Sequence, residues 1–85
     1  MGFEIQFKAS VKKELQKLTK SDQEQILDSL QQRLAQNPYE GKAFSGEFKG
    51  LYRWRIGNVR VIYEIHNKQL IVLVLKIARR KDIYR

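Results

Sequence analysis

Leu51-Tyr52-Arg53-Trp54-Arg55-Ile56-Gly57-Asn58-Val59-Arg60-Val61-Ile62-Tyr63-Glu64-Ile65 is the stretch on which the reading of this chain turns. Two alternating runs flank Gly57-Asn58, a pair suited to a two-residue hairpin turn with glycine first. Closing the turn pairs Ile56 with Val59, sets Arg55 opposite Arg60 and sets Trp54 opposite Val61. Alternation then sorts the side chains. Tyr52, Trp54, Ile56, Val59, Val61 and Tyr63 fall on one face, expected to meet the core, and Arg53, Arg55 and Arg60 fall on the other. Like charges directly opposite on a sheet repel, so this second face favours an anion, and a guanidinium fork suits phosphate oxygens.

Downstream, Gln69 to Ile77 reads as a third run. Its nearly unbroken apolar segment from Leu70 to Leu75 predicts a strand inside the sheet. Asn67-Lys68 is a weaker candidate for the intervening turn. Upstream, residues 38 to 50 hold Pro38, Gly41, Gly46 and Gly50 and read as a loop. Ahead of the loop, Val11, Leu15 and Leu18 recur at helical spacing from Ala9 onward. A second helix is expected to open on a capping box at Ser21-Asp22-Gln23-Glu24 and to carry Ile26, Leu27, Leu30 and Leu34 as its apolar stripe. Asn37-Pro38 ends it, because the residue before a proline is driven from helical angles. At the start, Phe3, Ile5 and Phe7 alternate with Glu4 and Gln6 as a strand with one buried side.

The expected fold is therefore an α+β domain spanning residues 1–85 in the order β-α-α-β-β-β. Two N-terminal helices would pack on one face of a mainly antiparallel four-stranded sheet. With 85 residues the chain has room for one core and no linker.

Charge divides the chain in two. Residues 1–48 carry seven Lys or Arg against seven Asp or Glu, whereas residues 49–85 carry ten against two, which accounts for the whole net charge of +8. Such a block supplies electrostatic attraction to polyanions and counterion release on nucleic acid. It ends in Lys76-Ile77-Ala78-Arg79-Arg80-Lys81-Asp82-Ile83-Tyr84-Arg85, where Tyr84 is placed to stack on a base or to offer a phenol. With no cysteine and one histidine, the composition excludes a disulfide scaffold and a thiolate metal site. It also lacks a Gly-rich phosphate loop and a long apolar run, so no cofactor, metal or membrane is expected, and a cytoplasmic location is. His66, beside a turn at the far end of the hairpin from Arg55, reads as a surface histidine. Trp54, alternating with Ile56, reads as a core residue.

The hairpin from Gly50 to Ile65 together with Arg79-Arg80-Lys81-Asp82-Ile83-Tyr84-Arg85 resembles the central hairpin and C-terminal motif of RelE-type toxins in the RelE/ParE toxin superfamily. The likeness covers nearly the whole chain. It implies the toxin of a type II toxin-antitoxin pair: a ribosome-dependent endoribonuclease that cuts mRNA in the ribosomal A site by metal-independent attack of the 2′-hydroxyl. Carried over by motif, Arg60 and Arg80 would hold the scissile phosphate, Arg53 and Arg55 would stand where a ribosome-dependent relative has lysines, and Tyr84 would orient the nucleotide. Lys49, Arg79, Lys81 and Arg85 would contact the RNA backbone. The implied partners are a cognate antitoxin, the ribosome and mRNA.

Two departures from the family pattern bear on mechanism. Arginine holds its proton to a pKa above about 12, so Arg53 is a poor general base, and Arg79 stands where many relatives have histidine. Proton transfer has no assigned owner; Glu47 or Glu64 could serve as base if poised near the site, where the sequence alone does not place either. The superfamily also implies an alternative, a ParE-type inhibitor of DNA gyrase without nuclease activity. A non-catalytic basic nucleic-acid-binding module is the third class.

Overall fold

Thr19 decides where the second helix begins. Its backbone is extended, and its hydroxyl accepts a hydrogen bond from the Asp22 amide at 3.1 Å. Helix α2 therefore spans Lys20–Ser29, its cap two residues before the expected one at Ser21, which already lies inside the helix. The computed structural model describes residues 2–79. Strand β1 (Glu4–Phe7) leads into helix α1 (Ala9–Gln16), and α2 passes straight into a π-helical turn, Leu30–Leu34, closed by a bond from the Ala35 amide to the Leu30 carbonyl. That turn keeps Leu30 and Leu34 both buried with Ile26, while Leu27, expected in the stripe, is 40% exposed.

The loop holds more order than its glycines suggest. A 3-10 turn at Pro38–Glu40 precedes the two-residue strand β2 (Lys42–Ala43), and a second 3-10 turn at Gly46–Phe48 precedes β3 (Leu51–Ile56). Strands β4 (Val59–His66) and β5 (Ile71–Arg79) complete a sheet of five strands in the order β1-β5-β4-β3-β2. The four expected strands are all present, with β2 added at the edge. All neighbours are antiparallel except β1 and β5, which run parallel. As the apolar run suggested, β5 lies inside the sheet.

The hairpin register matches the sequence reading: Ile56 opposes Val59, Trp54 opposes Val61 and Arg55 opposes Arg60. Gly57 takes a positive φ of 58°, where glycine is at home. The second connection is a four-residue turn over residues 67–70 instead of a two-residue one. Leu70, and not a glycine, holds its positive φ, so β5 starts at Ile71 and two residues later than expected.

One irregularity aligns the core. Pairing between β4 and β5 steps from Ile62 with Lys76 to Tyr63 with Val74, leaving Leu75 as an extra residue in β5. The bulge lets Val72, Val74 and Ile77 all face the helices despite their uneven spacing. There they join Val11, Leu15, Leu18, Ile26, Leu30, Leu34, Ile56, Val59, Val61 and Tyr63 in one buried cluster, with Phe3, Ile5 and Phe7 packed at its margin. Past the end of β1, the Ile77 amide donates to Glu14 Oε1 at 3.0 Å, and Lys76 Nζ lies 3.4 Å from the other oxygen. The helices thus cover one face of the sheet, and the opposite face is left to the arginines.

Candidate functional site

On that opposite face Lys42 stands across from Arg53 in the β2–β3 pair, and Arg55 across from Arg60 in the β3–β4 pair. Side chains so placed lie within roughly 5 Å of one another at Cβ. All four cations line one cavity of about 350 Å³, bordered also by Glu40, Gly41 and Trp54. Arg60 is the innermost of them. Only 4% of it is exposed, and it is the one charged side chain in the interior of the described residues. Across the described residues no buried side-chain nitrogen or oxygen lacks a hydrogen-bond partner.

The chain reaches this cavity by a tight passage. Tyr63, on the core face of β4 and wholly buried, donates its phenol to the Pro38 carbonyl at 2.7 Å, and its ring stacks on Tyr52 at 5.6 Å between centroids. Tyr39 closes on Tyr52 edge-to-face and donates to Asn67 Oδ1 at 2.6 Å, fixing the 3-10 turn from its other side. Gly41 then runs across the Tyr63 hydroxyl so closely that a Cβ there would stand 2.1 Å from the oxygen and 2.9 Å from the Arg53 carbonyl. Glycine is required for space at this point, and its passage delivers Lys42 to a position beside Arg53.

Two ionisable groups at this passage are displaced from their ordinary range. Burial pushes the Tyr63 phenol up to about 12, so it stays a hydrogen-bond donor at any physiological pH. On the helix side, the Arg33 guanidinium is ion-paired with Glu40, and the hydrogen bond to that carboxylate raises its pKa further. Arg33 also lies 6.0 Å over the Trp54 ring, a cation–π placement that agrees with Trp54 packing at the edge of the core.

Of the residues singled out from sequence, Arg53, Arg55 and Arg60 are brought together as expected. Arg79 is not. It opposes Val59, a core-face residue, and lines the clefts beside the helices with Asp22 and with Glu14, because alternation along β5 turns it away from the arginine face. Lys49 is exposed between the second 3-10 turn and β3, outside the cavity lining. Arg80, Lys81, Tyr84 and Arg85 lie outside the described residues.

The carboxylates named from sequence are also elsewhere. Glu64 Oε1 accepts from His66 Nε2 at 2.9 Å, on a part of β4 opposite Leu51, and Glu47 is exposed in the second 3-10 turn. The acid that borders the cavity is Glu40. Sequence reasoning missed both Glu40 and Lys42, since a two-residue edge strand inside a Pro- and Gly-bearing loop has no period to read. The available signal was the string Tyr39-Glu40-Gly41-Lys42 immediately after Pro38, short and charged on either side of a glycine.

Chemically, four cations around one pocket, one of them buried, form a site for an anion with more than one oxygen to hold. A phosphodiester meets that description. Among the described residues no group of three or more His, Cys, Asp or Glu is placed to hold a metal. No helix of the described residues is long and apolar enough to cross a membrane.

Known proteins of the same kind are found by sequence and by shape. A family model described as the ParE toxin of type II toxin-antitoxin systems matches residues 5–84. A putative RelE-like toxin protein of Escherichia coli is 30% identical over 88 residues, covering 99% of this chain and 92% of the relative. Toxin RelG of Mycobacterium tuberculosis is 27% identical over 86 residues, covering 100% of this chain and 99% of RelG. In shape, the toxin-antitoxin complex RelBE2 of Mycobacterium tuberculosis gives a TM-score of 0.89 at 22% identity, over 94% of this chain and 93% of the matched one. That last likeness establishes the fold, with two helices on a mixed sheet.

Proposed function

This chain belongs to the RelE/ParE superfamily of type II toxins, and from that premise we propose that residues 1–85 form one toxin domain that cuts mRNA on the ribosome. The observation that carries the reading is the convergence of Lys42, Arg53, Arg55 and Arg60 on one cavity, with Arg60 at its buried end. Cleavage by an adjacent 2′-hydroxyl adds negative charge to the phosphate in the transition state. Cations already fixed around it stabilise that charge without reorganising, and no metal is required.

In this mechanism Arg60 binds the scissile phosphate from the interior, while Arg53 and Arg55 hold its non-bridging oxygens from the sheet surface. Arg80 and Tyr84 complete the site, the first on the phosphate and the second against the nucleotide. Lys49, Lys81 and Arg85 contact the RNA backbone and set its path. Arg79, on the helix side, takes no part in the cavity. The domain works in the cytoplasm, where the ribosome presents the message.

A cognate antitoxin is the other partner. The similar fold in RelBE2 was found in a toxin-antitoxin complex, and an arginine-bearing face with ten basic against two acidic residues in its half of the chain suits an acidic segment.

The test is to induce the chain in cells without antitoxin and map new RNA 5′ ends over translated messages, alongside Arg60→Gln. Cuts inside reading frames that vanish when ribosomes are kept off the message, and that fall by about 100-fold or more with Arg60→Gln, are expected. Intact messages accompanied by broken chromosomes would replace this reading with inhibition of gyrase. Binding of RNA with neither effect would leave a module without catalysis.

A further inference from the structure

Among the described residues the arginines of the cavity offer no ready proton for the departing 5′-oxygen, and on the nuclease reading above a donor is needed. A guanidinium gives up its proton only above about pH 12, so Arg53, Arg55 and Arg60 can stabilise charge but are poor acids. Among the described residues that line the cavity, one other side chain carries protons to give: Lys42, set across from Arg53 by the β2–β3 register. An ammonium ordinarily titrates near 10.4 and is far more acidic than the alcohol that an alkoxide leaving group must become.

We infer that Lys42 is the general acid of this site, donating a proton to the 5′-oxygen as it leaves the phosphate. Three features of the structure place it for that work. Gly41, pressed against the Tyr63 hydroxyl and the Arg53 carbonyl, fixes the backbone immediately before it. Ladder pairing to β3 fixes the backbone at Lys42 itself. Arg33 engages Glu40, the one carboxylate at the cavity, in an ion pair, and among the described residues no carboxylate is paired with Lys42.

The 2′-oxygen forms a bond to phosphorus while its proton passes to solvent water, and the bond from phosphorus to the 5′-oxygen breaks. The electron pair of that bond stays on the 5′-oxygen, which takes a proton from the Lys42 ammonium. A 2′,3′-cyclic phosphate and a 5′-hydroxyl result, and solvent returns a proton to the Lys42 amine.

The experiment uses the full-length toxin on ribosomes programmed with a message whose scissile linkage carries either the normal bridging 5′-oxygen or a bridging 5′-sulfur. Sulfur leaves as a thiolate and needs no proton. Lys42→Arg keeps the charge and removes the acid. It is expected to slow cleavage of the oxygen linkage on the order of 100-fold and to cut the sulfur linkage close to the wild-type rate. The alkaline fall in the wild-type pH–rate profile should also disappear in Lys42→Arg. Equal slowing on both linkages would overturn the assignment and make Lys42 a phosphate holder, and a wild-type rate on both would remove it from the reaction. A wild-type toxin that cuts neither message would defeat the nuclease reading itself, a result distinct from either of these.

Discussion

The β3–β4 hairpin shows two faces built from one stretch of chain by opposite rules. On the helix side Ile56, Val59, Val61 and Tyr63 are buried in a continuous apolar cluster. On the other side Arg55 opposes Arg60, and Lys42 opposes Arg53, with like charges facing each other across the strands. The first face lowers the free energy of folding through burial, and the second raises it through repulsion. Because neighbouring residues point to opposite faces, the apolar core and the cationic cluster sit one residue apart in sequence, and the two should respond separately to substitution.

The largest effect should come from the buried face. Leu30→Ala, at a site 1% exposed between α2 and the sheet, should lower unfolding stability by about 2 to 5 kcal/mol in urea titrations. If the two faces are separate, the fraction that stays folded should cleave at an unchanged rate. A parallel loss of rate per folded molecule would show that the cavity depends on core packing.

Tyr63 joins the two faces and should respond to pH. Burial raises its folded pKa to about 12 from an unfolded value near 10, so the folded state holds the phenolic proton more tightly. The stabilisation is complete below pH 10 and is lost as pH rises from 10 to 12, amounting to roughly 2 kcal/mol. Tyr63→Phe should remove the loss in that window, at a cost of about 1 kcal/mol near neutrality from the hydrogen bond to Pro38. Chemical denaturation at pH 7, 10 and 11.5 for both proteins measures this, and an unchanged alkaline slope in the variant would assign the loss to other groups.

The smallest stability effect should come from the charged face. Arg55→Ala relieves the repulsion across from Arg60 and should leave stability unchanged or raise it by up to about 0.5 kcal/mol. RNA affinity should fall at the same time, and the slope of log affinity against log salt should shrink by about one contact. A destabilised Arg55→Ala would mean that the cluster supports the fold.

The sequence was most legible where a period could be counted. The hairpin register, the helix stripe at Ile26, Leu30 and Leu34, and the shared face of Arg53, Arg55 and Arg60 all follow from alternation or helical spacing. It was least legible where a choice depended on a distant partner. Thr19 takes the cap in place of Ser21 where the chain turns out of α1, which ends at Gln16, and Leu27 stays exposed because the helix, once packed, turns it outward. β2 forms only because β3 offers it an edge. Arg79 leaves the arginine face through strict alternation from Val59's partner position, which cannot be assigned until the Leu75 bulge is known. Glu40 and Lys42 belong to the same group, residues in a loop that become part of a site only when the chain returns to the sheet.

Gly41 brings no functional group to the cavity, yet its missing side chain is what allows the passage over the Tyr63 hydroxyl. Any mutation there forces apart the buried tyrosine, the Arg53 backbone and the strand that carries Lys42, so one codon change disturbs folding and cation placement together. The genetic target for disarming this toxin is therefore wider than its set of charged residues, and it includes a position that an inventory of reactive side chains would pass over.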